Sequence, residues 1–300
     1  MVNMSTRPSL IIYLKLFLMA TFWGGTFIAG RFLADYASPF SSAFIRFFIA
    51  SAALLLLTLK TSGQLPPIKR NQFGPLLLLG LSGVFSYNAF FFKGLELIEA
   101  SRAAVIIANN PIIIALFAAL LLDEKLTLSK LAGILLSIFG ALVVITHGHP
   151  QQIISQGIGK GELYIFGCVV SWVVYSLVGR VAMRGFSPLE AVTYSSLVGT
   201  LLLFPVALYE GLLGQLPKYS LPAWACLFYL GLCGTVLAFI WYYQGIQKIG
   251  STRAGQFINF VPVSGVMLSI WLLGEPLTMS LLTGLILVSC GVYLTNRKAA

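Results

Sequence analysis

One stretch of this chain is written twice. Residues 94–127 open on Gly94-Leu95 and run through Ser101-Arg102-Ala103, Asn109-Asn110-Pro111 and Asp123-Glu124-Lys125-Leu126-Thr127. Residues 245–278 open on Gly245-Ile246 and run through Thr252-Arg253-Ala254, Asn259-Phe260-Val261-Pro262 and Gly274-Glu275-Pro276-Leu277-Thr278. Gly94 and Gly245, Arg102 and Arg253, Pro111 and Pro262, and Glu124 and Glu275 all stand 151 residues apart, and Gly133 with Gly284 and Gly140 with Gly291 continue the register. So many pairs in one frame mark two copies of a single unit. The fold must be one that a duplicated half-chain completes.

Composition decides where that fold lives. Hydrophobic residues make up 58% of the 300 and charged residues 9%, with a mean hydropathy of +0.92. Soluble domains carry about a quarter charged residues, so this chain cannot cover a water-facing surface. The apolar runs reach the roughly 20 residues that a membrane-spanning helix needs. A β-barrel would instead show short alternating segments. The reading is an all-α integral membrane protein whose first partner is the lipid bilayer. The net charge of +10 then reflects Lys and Arg held on the cytoplasmic side, and no nucleic-acid partner is expected. Cys168, Cys226, Cys233 and Cys290 all lie in apolar runs without metal-ligand spacing and read as small buried hydrophobes. No metal or cofactor is expected. Arg7 and Lys15 before an apolar run mimic a signal peptide, but no small-x-small cleavage site follows, so the run is kept as the first helix.

Turn-rich or charged breaks divide the chain into ten apolar segments, roughly 10–31, 40–59, 74–96, 102–122, 129–147, 161–183, 188–209, 222–246, 253–273 and 278–296. The first repeat is assigned to residues 10–147 and the second to 161–296, with 148–160 as linker. With the N-terminus cytoplasmic, the Lys and Arg other than Arg46 divide 13 against 5 in favour of that side. Both termini are therefore expected to be cytoplasmic. Five spans per half is an odd number, so the second copy enters the membrane from the opposite face. Inverted repeats of this kind are a transporter signature, because exchanging the shapes of the halves opens a pathway to alternate sides. The alternative is an old duplication kept for stability alone.

Further landmarks follow in order. In the first half they are Trp23-Gly24-Gly25-Thr26-Phe27, Pro39 with Arg46 seven residues on, Pro111, Glu124-Lys125-Leu126-Thr127, and Gly133 with Gly140. In the second they are Trp172, Pro188, Pro262, Gly274-Glu275-Pro276-Leu277-Thr278, and Gly284 with Gly291. Together they resemble the EamA-type family of the drug/metabolite transporter superfamily, and the resemblance covers about residues 10–296. It implies a ten-helix exporter of small metabolites with a central cavity between its halves, most like the YddG-type bacterial amino-acid exporters of the inner membrane. One departure stands out. The position matching Arg46 in the second half is Ser195, taking the Trp23 to Trp172 spacing of 149.

The residues supply candidates for the pathway. Pro111 and Pro262 fall mid-segment, where proline frees backbone carbonyls that a membrane tolerates only beside protein or a water-filled cavity. Each is a candidate hinge or a purely structural kink. Asn109, Asn110 and Asn259 precede them and either line a cavity at midplane or join helices. Trp23, Tyr87, Phe90, Trp172, Tyr175 and Trp241 lie too deep for an interfacial belt, and form either a stacking wall for a substrate side chain or ordinary helix packing. Arg46 lies inside the second span, where a charge is costly; it either receives a substrate carboxylate as a fork or snorkels to the outer surface. Glu124 and Glu275 are expected to cap the helices that follow them, with Thr127 and Thr278.

Absences narrow the function. No Asp or Glu lies near the middle of any segment, although ion-coupled carriers place ionisable groups at depth. Facilitated, gradient-driven transport is the expectation. The two histidines, His147 and His149, share a loop, and no H-E-x-x-H or P-loop motif is present, which argues against an enzyme. A channel would show a polar or charged ring. Nucleotide cargo would call for more cations in the cavity than Arg46, and cationic drugs for a buried carboxylate. A small zwitterionic or neutral solute, such as a neutral or aromatic amino acid, fits best, carried by a monomer.

Overall fold

A computed structural model describes residues 10–122, 128–149, 158–182, 185–249 and 251–296. The described residues form helices joined by short turns. The first repeat comprises α1 (Leu10–Leu33), α2 (Pro39–Ser62), α3 (Arg70–Leu95), α4 in two pieces (Ala100–Ile107 and Asn110–Leu122) and α5 (Leu128–Ile145). The second comprises α6 (Lys160–Ala182), α7 (Pro188–Tyr209), α8 (Leu221–Ile249), α9 (Arg253–Leu273) and α10 (Met279–Asn296). Eight of these are long and apolar enough to cross a membrane; α4 and α10 contribute shorter apolar stretches, Ala100–Ile114 and Met279–Thr295. Glu124 and Thr127 lie outside the described residues, as does most of the expected linker.

The repeats interlock rather than sit side by side. Helix α5 packs on α10 through glycines, where the missing side chains let backbones touch. A Cβ on Gly133 would stand 2.6 Å from the Gly291 carbonyl oxygen, and one on Gly284 would stand 2.7 Å from the Gly140 carbonyl oxygen. The 151-residue register turns the first of these contacts into the second, so the crossing is its own counterpart. Moving up α5 means moving down α10; the equivalent helices run antiparallel. Helices α2 and α7 repeat the pattern with hydroxyls, Ser51 meeting Thr200 at 2.9 Å and Thr58 meeting Thr193 at 2.9 Å. Ser51 and Thr200 are themselves equivalents in the 149-residue register. A pseudo-two-fold axis thus runs between α2 and α7 and between α5 and α10.

Two kinds of departure from α-helix fall at equivalent places, while a third, a π-helical end to α9 at Ser269–Leu273, has no counterpart in α4. Helices α3 and α8 each widen into a π-helical stretch, Gly80–Ser86 and Tyr229–Leu237. Helix α4 breaks at Ala108 and Asn109, and α9 tightens into a 3-10 turn at Phe257–Asn259. Both breaks lie just upstream of a proline, whose ring excludes the carbonyl four residues before it. The prolines therefore divide their helices rather than bend them smoothly.

Candidate functional site

The interlocked helices enclose a cavity of about 960 Å³. Its wall reaches the helix ends where the described chain begins and finishes: Lys130 near the start of α5, Gly179 near the end of α6, Gln256 in α9 and Thr295 in α10. At the opposite, far end it stops short, at Arg46 in α2, Phe91 in α3 and Ala104 in α4. Among the described residues the cavity wall runs to one end of the bundle and stops short of the other.

Arg46 is the charge at its core. The side chain does not snorkel. Arg46 is buried, its Nη1 donates to Asn88 Oδ1 at 2.9 Å, and its Nε and Nη2 each lie 3.4 Å from Thr235 Oγ1. The guanidinium also lies 5.2 Å from the Phe47 ring centroid. Each neutral partner is anchored to a carbonyl of a π-helical region. Asn88 Nδ2 donates to Val84 O at 2.8 Å, and Thr235 Oγ1 to Leu230 O at 2.9 Å. Widened turns loosen the regular backbone ladder and recur at functional sites; here they hold the residues that hold the arginine. No Asp or Glu lines the cavity among the described residues. The arrangement is a buried cation with donors to spare and only neutral acceptors, which suits an arriving carboxylate.

Two aromatic walls flank the cavity and are counterparts through the repeat. On one, Tyr87 and Trp172 stand with ring centroids 5.6 Å apart and Trp172 stacks on Tyr175 at 5.2 Å. On the other, Trp23 meets Phe239 at 5.5 Å and Tyr242 at 5.7 Å, with Tyr243 beside them. Trp23 Nε1 donates to Gly234 O at 3.1 Å, a carbonyl of the α8 π-helical stretch. Gly83, its counterpart in α3, makes room for the Tyr175 ring, which a Cβ there would strike at 2.1 Å.

The structure thus brings Trp23, Arg46, Tyr87, Asn110, Pro111, Trp172, Tyr175, Asn259 and Pro262 to one cavity. The Oδ1 atoms of Asn110 and Asn259 are buried without a hydrogen-bond partner, an uncommon state for buried polar atoms. Three candidates go elsewhere. Phe90 fills the space over Gly167 and stacks near Tyr164, between α3 and α6. Trp241 stacks on Phe22 at 5.4 Å in a packed cluster. Asn109 repairs the break in α4: its Nδ2 donates to Val105 O and Ile106 O at 3.2 Å each, and its Oδ1 accepts from Ser137 Oγ at 2.8 Å. Sequence reasoning missed Asn88, Thr235, Tyr242 and Tyr243. Asn88 carried a signal, a lone amide deep in an apolar run beside Tyr87; Thr235 carried none.

Glu275 requires a correction. It does not cap the helix that follows it. Thr278 Oγ1 caps α10 by accepting from Leu281 N at 3.2 Å. Glu275 instead accepts from Ala100 N at 2.7 Å and Ser101 N at 2.9 Å, at the start of α4 in the other repeat. Sequence proximity favoured the local helix; folding brought a different N-terminus closer. At the same far end Glu210 Oε2 accepts from Phe40 N at 2.9 Å and Ser41 N at 3.3 Å, at the start of α2. Arg102 Nη2 donates to Glu162 Oε1 at 2.6 Å and to Ile145 O at 3.1 Å.

A duplicated bundle of apolar helices, interlocked around a largely apolar cavity that holds a buried arginine, defines a multi-pass membrane transporter. The chain belongs to the EamA-like transporter family, whose profile matches residues 10–146 and again 159–297. It is 32% identical over 281 residues to the uncharacterized transporter YyaM of Bacillus subtilis (strain 168), covering 94% of this chain and 92% of that protein. It is 25% identical over 278 residues to a probable terminal-alkyne amino-acid exporter of Streptantibioticus cattleyicolor, covering 92% and 90%. A solved crystal structure with 21% identity superposes with a TM-score of 0.65, over 98% of this chain and 100% of that one, and shares the fold.

Proposed function

We propose that this protein exports small metabolites, namely amino acids of neutral and aromatic kinds, across a bacterial inner membrane by alternating access. In this reading all ten helices cross the bilayer, the two repeats have inverted topology, both termini are cytoplasmic, and the cavity is open to the cytoplasm. The carrying observation is Arg46, a buried cation facing the cavity with only neutral partners. A substrate carboxylate docks on its free donors as a charge-assisted pair. The aromatic walls receive the side chain, and the Asn110 and Asn259 carboxamides in the cavity wall supply acceptors for the ammonium group. Pro111 and Pro262 serve as hinges, and a monomer suffices. The amino-acid exporter among the relatives supports the cargo class. A cavity wall without Asp or Glu among its described residues supports gradient-driven rather than ion-coupled flux, and disfavours cationic drugs.

Counterflow in liposomes tests the cargo. Purified protein preloaded with unlabelled amino acid, without any ion gradient, is expected to take up labelled Phe, Trp, Thr or Met saturably, and Lys and Glu poorly. Absence of exchange for every amino acid would refute the assignment and direct the search to nucleosides and lipophilic amines.

A further inference from the structure

We propose that the far end of the bundle is held shut by a polar clasp between the repeats, built from Arg102, Glu162, Glu275 and Glu210. Its release opens the cavity to that side. The inference rests on the alternating-access part of the functional reading and is independent of the cargo.

Three kinds of observation carry it. The first is connectivity. Arg102 in α4 binds Glu162 in α6, Glu275 before α10 caps α4, and Glu210 after α7 caps α2. Each bond joins the first repeat to the second, and all lie at the end the cavity does not reach. Between described residues two ion pairs are seen, Arg31–Asp35 and Arg102–Glu162, and the second alone joins the repeats.

The second is burial. The Arg102 and Glu162 side chains are 13% and 9% exposed. A shielded pair resists separation far more than an exposed one, since removing one member strands the other. Each capping carboxylate lies against backbone N–H groups at the positive end of a helix.

The third is the contrast between equivalents. Arg253, the counterpart of Arg102, is exposed. It lies at the start of α9, at the end to which the cavity opens. One arginine of the repeated pair is locked in the closed end; its twin stands in the open one. The choice of charge fits a seal that must part. Once opened, carboxylates and guanidinium are solvated by the water that enters, whereas an apolar seal would expose hydrophobic surface.

The test reads distance and needs no substrate. Native cysteines Cys168, Cys226, Cys233 and Cys290 are replaced, spin labels are placed at the exposed far-end positions Leu97 and Leu213, and the label separation is measured by pulsed electron resonance in nanodiscs. The starting protein should give predominantly the short separation. The E162Q/E275Q double variant should raise the ratio of long to short separations about tenfold or more, E210Q alone should raise it less, and the R102E/E162R exchange should restore the short population. Unchanged distributions in both E162Q/E275Q and E210Q would overturn the clasp, as would an R102E/E162R protein that stays long. Shifted distances in a protein that exchanges no amino acid would sink the cargo reading and leave the clasp standing.

Discussion

Arg46, Asn88 and Thr235 come from three helices and both repeats, yet none has a counterpart of its own kind. The equivalent positions hold Ser195, Phe239 and Val84. The duplication accounts for the scaffold, and the residues proposed to receive the substrate carboxylate stand where its symmetry is broken. Replacing Arg46 by Gln keeps a polar group among the same neutral partners, so the fold should survive while carboxylate affinity falls. A hydrogen bond to a charged group contributes about 1.5–3 kcal/mol, and the half-saturation concentration for a transported amino acid should rise about ten- to a hundredfold. Arg46→Lys keeps the charge without the fork and should fall between the two. Inhibition by the matching amine, which lacks the carboxylate, should be insensitive to either change. Equal losses for amino acid and amine would show that Arg46 shapes the cavity and does not bind the acid. Of this site the arginine was legible, because a charge inside an apolar run stands out. Of its partners, Asn88 left a trace as a lone amide in an apolar run, whereas Thr235 was an ordinary residue until the fold placed it, and either Arg46 alternative satisfied the sequence alone.

At the scale of elements, the sequence disclosed the helices and the repeat, and the structure disclosed how they depart from regularity. Ten apolar runs, their punctuation and their pairing followed from hydropathy and spacing. The π-helical stretches of α3 and α8 did not, because one extra residue per turn leaves a wholly apolar run looking the same. The break in α4 was half-visible. Pro111 announced a disturbance, but only the structure shows Asn109 donating to Val105 O and Ile106 O beside the break. The glycines of α5 and α10 were visible as register marks and carried no hint that they face one another. Their role predicts a selective sensitivity. Gly133→Val or Gly291→Val drives a side chain into the opposing carbonyl oxygen, 2.6 Å from the new Cβ. Each should destabilise the protein by about 1–3 kcal/mol, read as a lowered midpoint in thermal unfolding of detergent-solubilised protein. Gly74→Val, at a glycine with open space around it, should lower it by much less, the ordinary cost of a β-branched residue in a helix. If all three variants melt together, close backbone approach is not what holds α5 to α10.

At the scale of the molecule, the charge count and the missing midplane carboxylates lead to predictions about sidedness and energy. A cysteine in place of the exposed Leu97 should react with impermeant thiol reagents from outside intact cells, and one at the exposed Leu128 only after lysis. The reverse pattern would invert the assigned topology. Counterflow at a fixed amino-acid gradient should be unaffected by an imposed proton gradient. Flux that follows the proton gradient would refute uncoupled transport. The α5–α10 crossing bears on both halves of the proposed cycle. Points on a rotation axis stay fixed under the rotation, so a crossing that the two-fold carries onto itself would be untouched if the repeats traded shapes. In that cycle the four glycines would mark a line about which the two repeats rock, as a balance beam rests on its knife-edge while its arms change places.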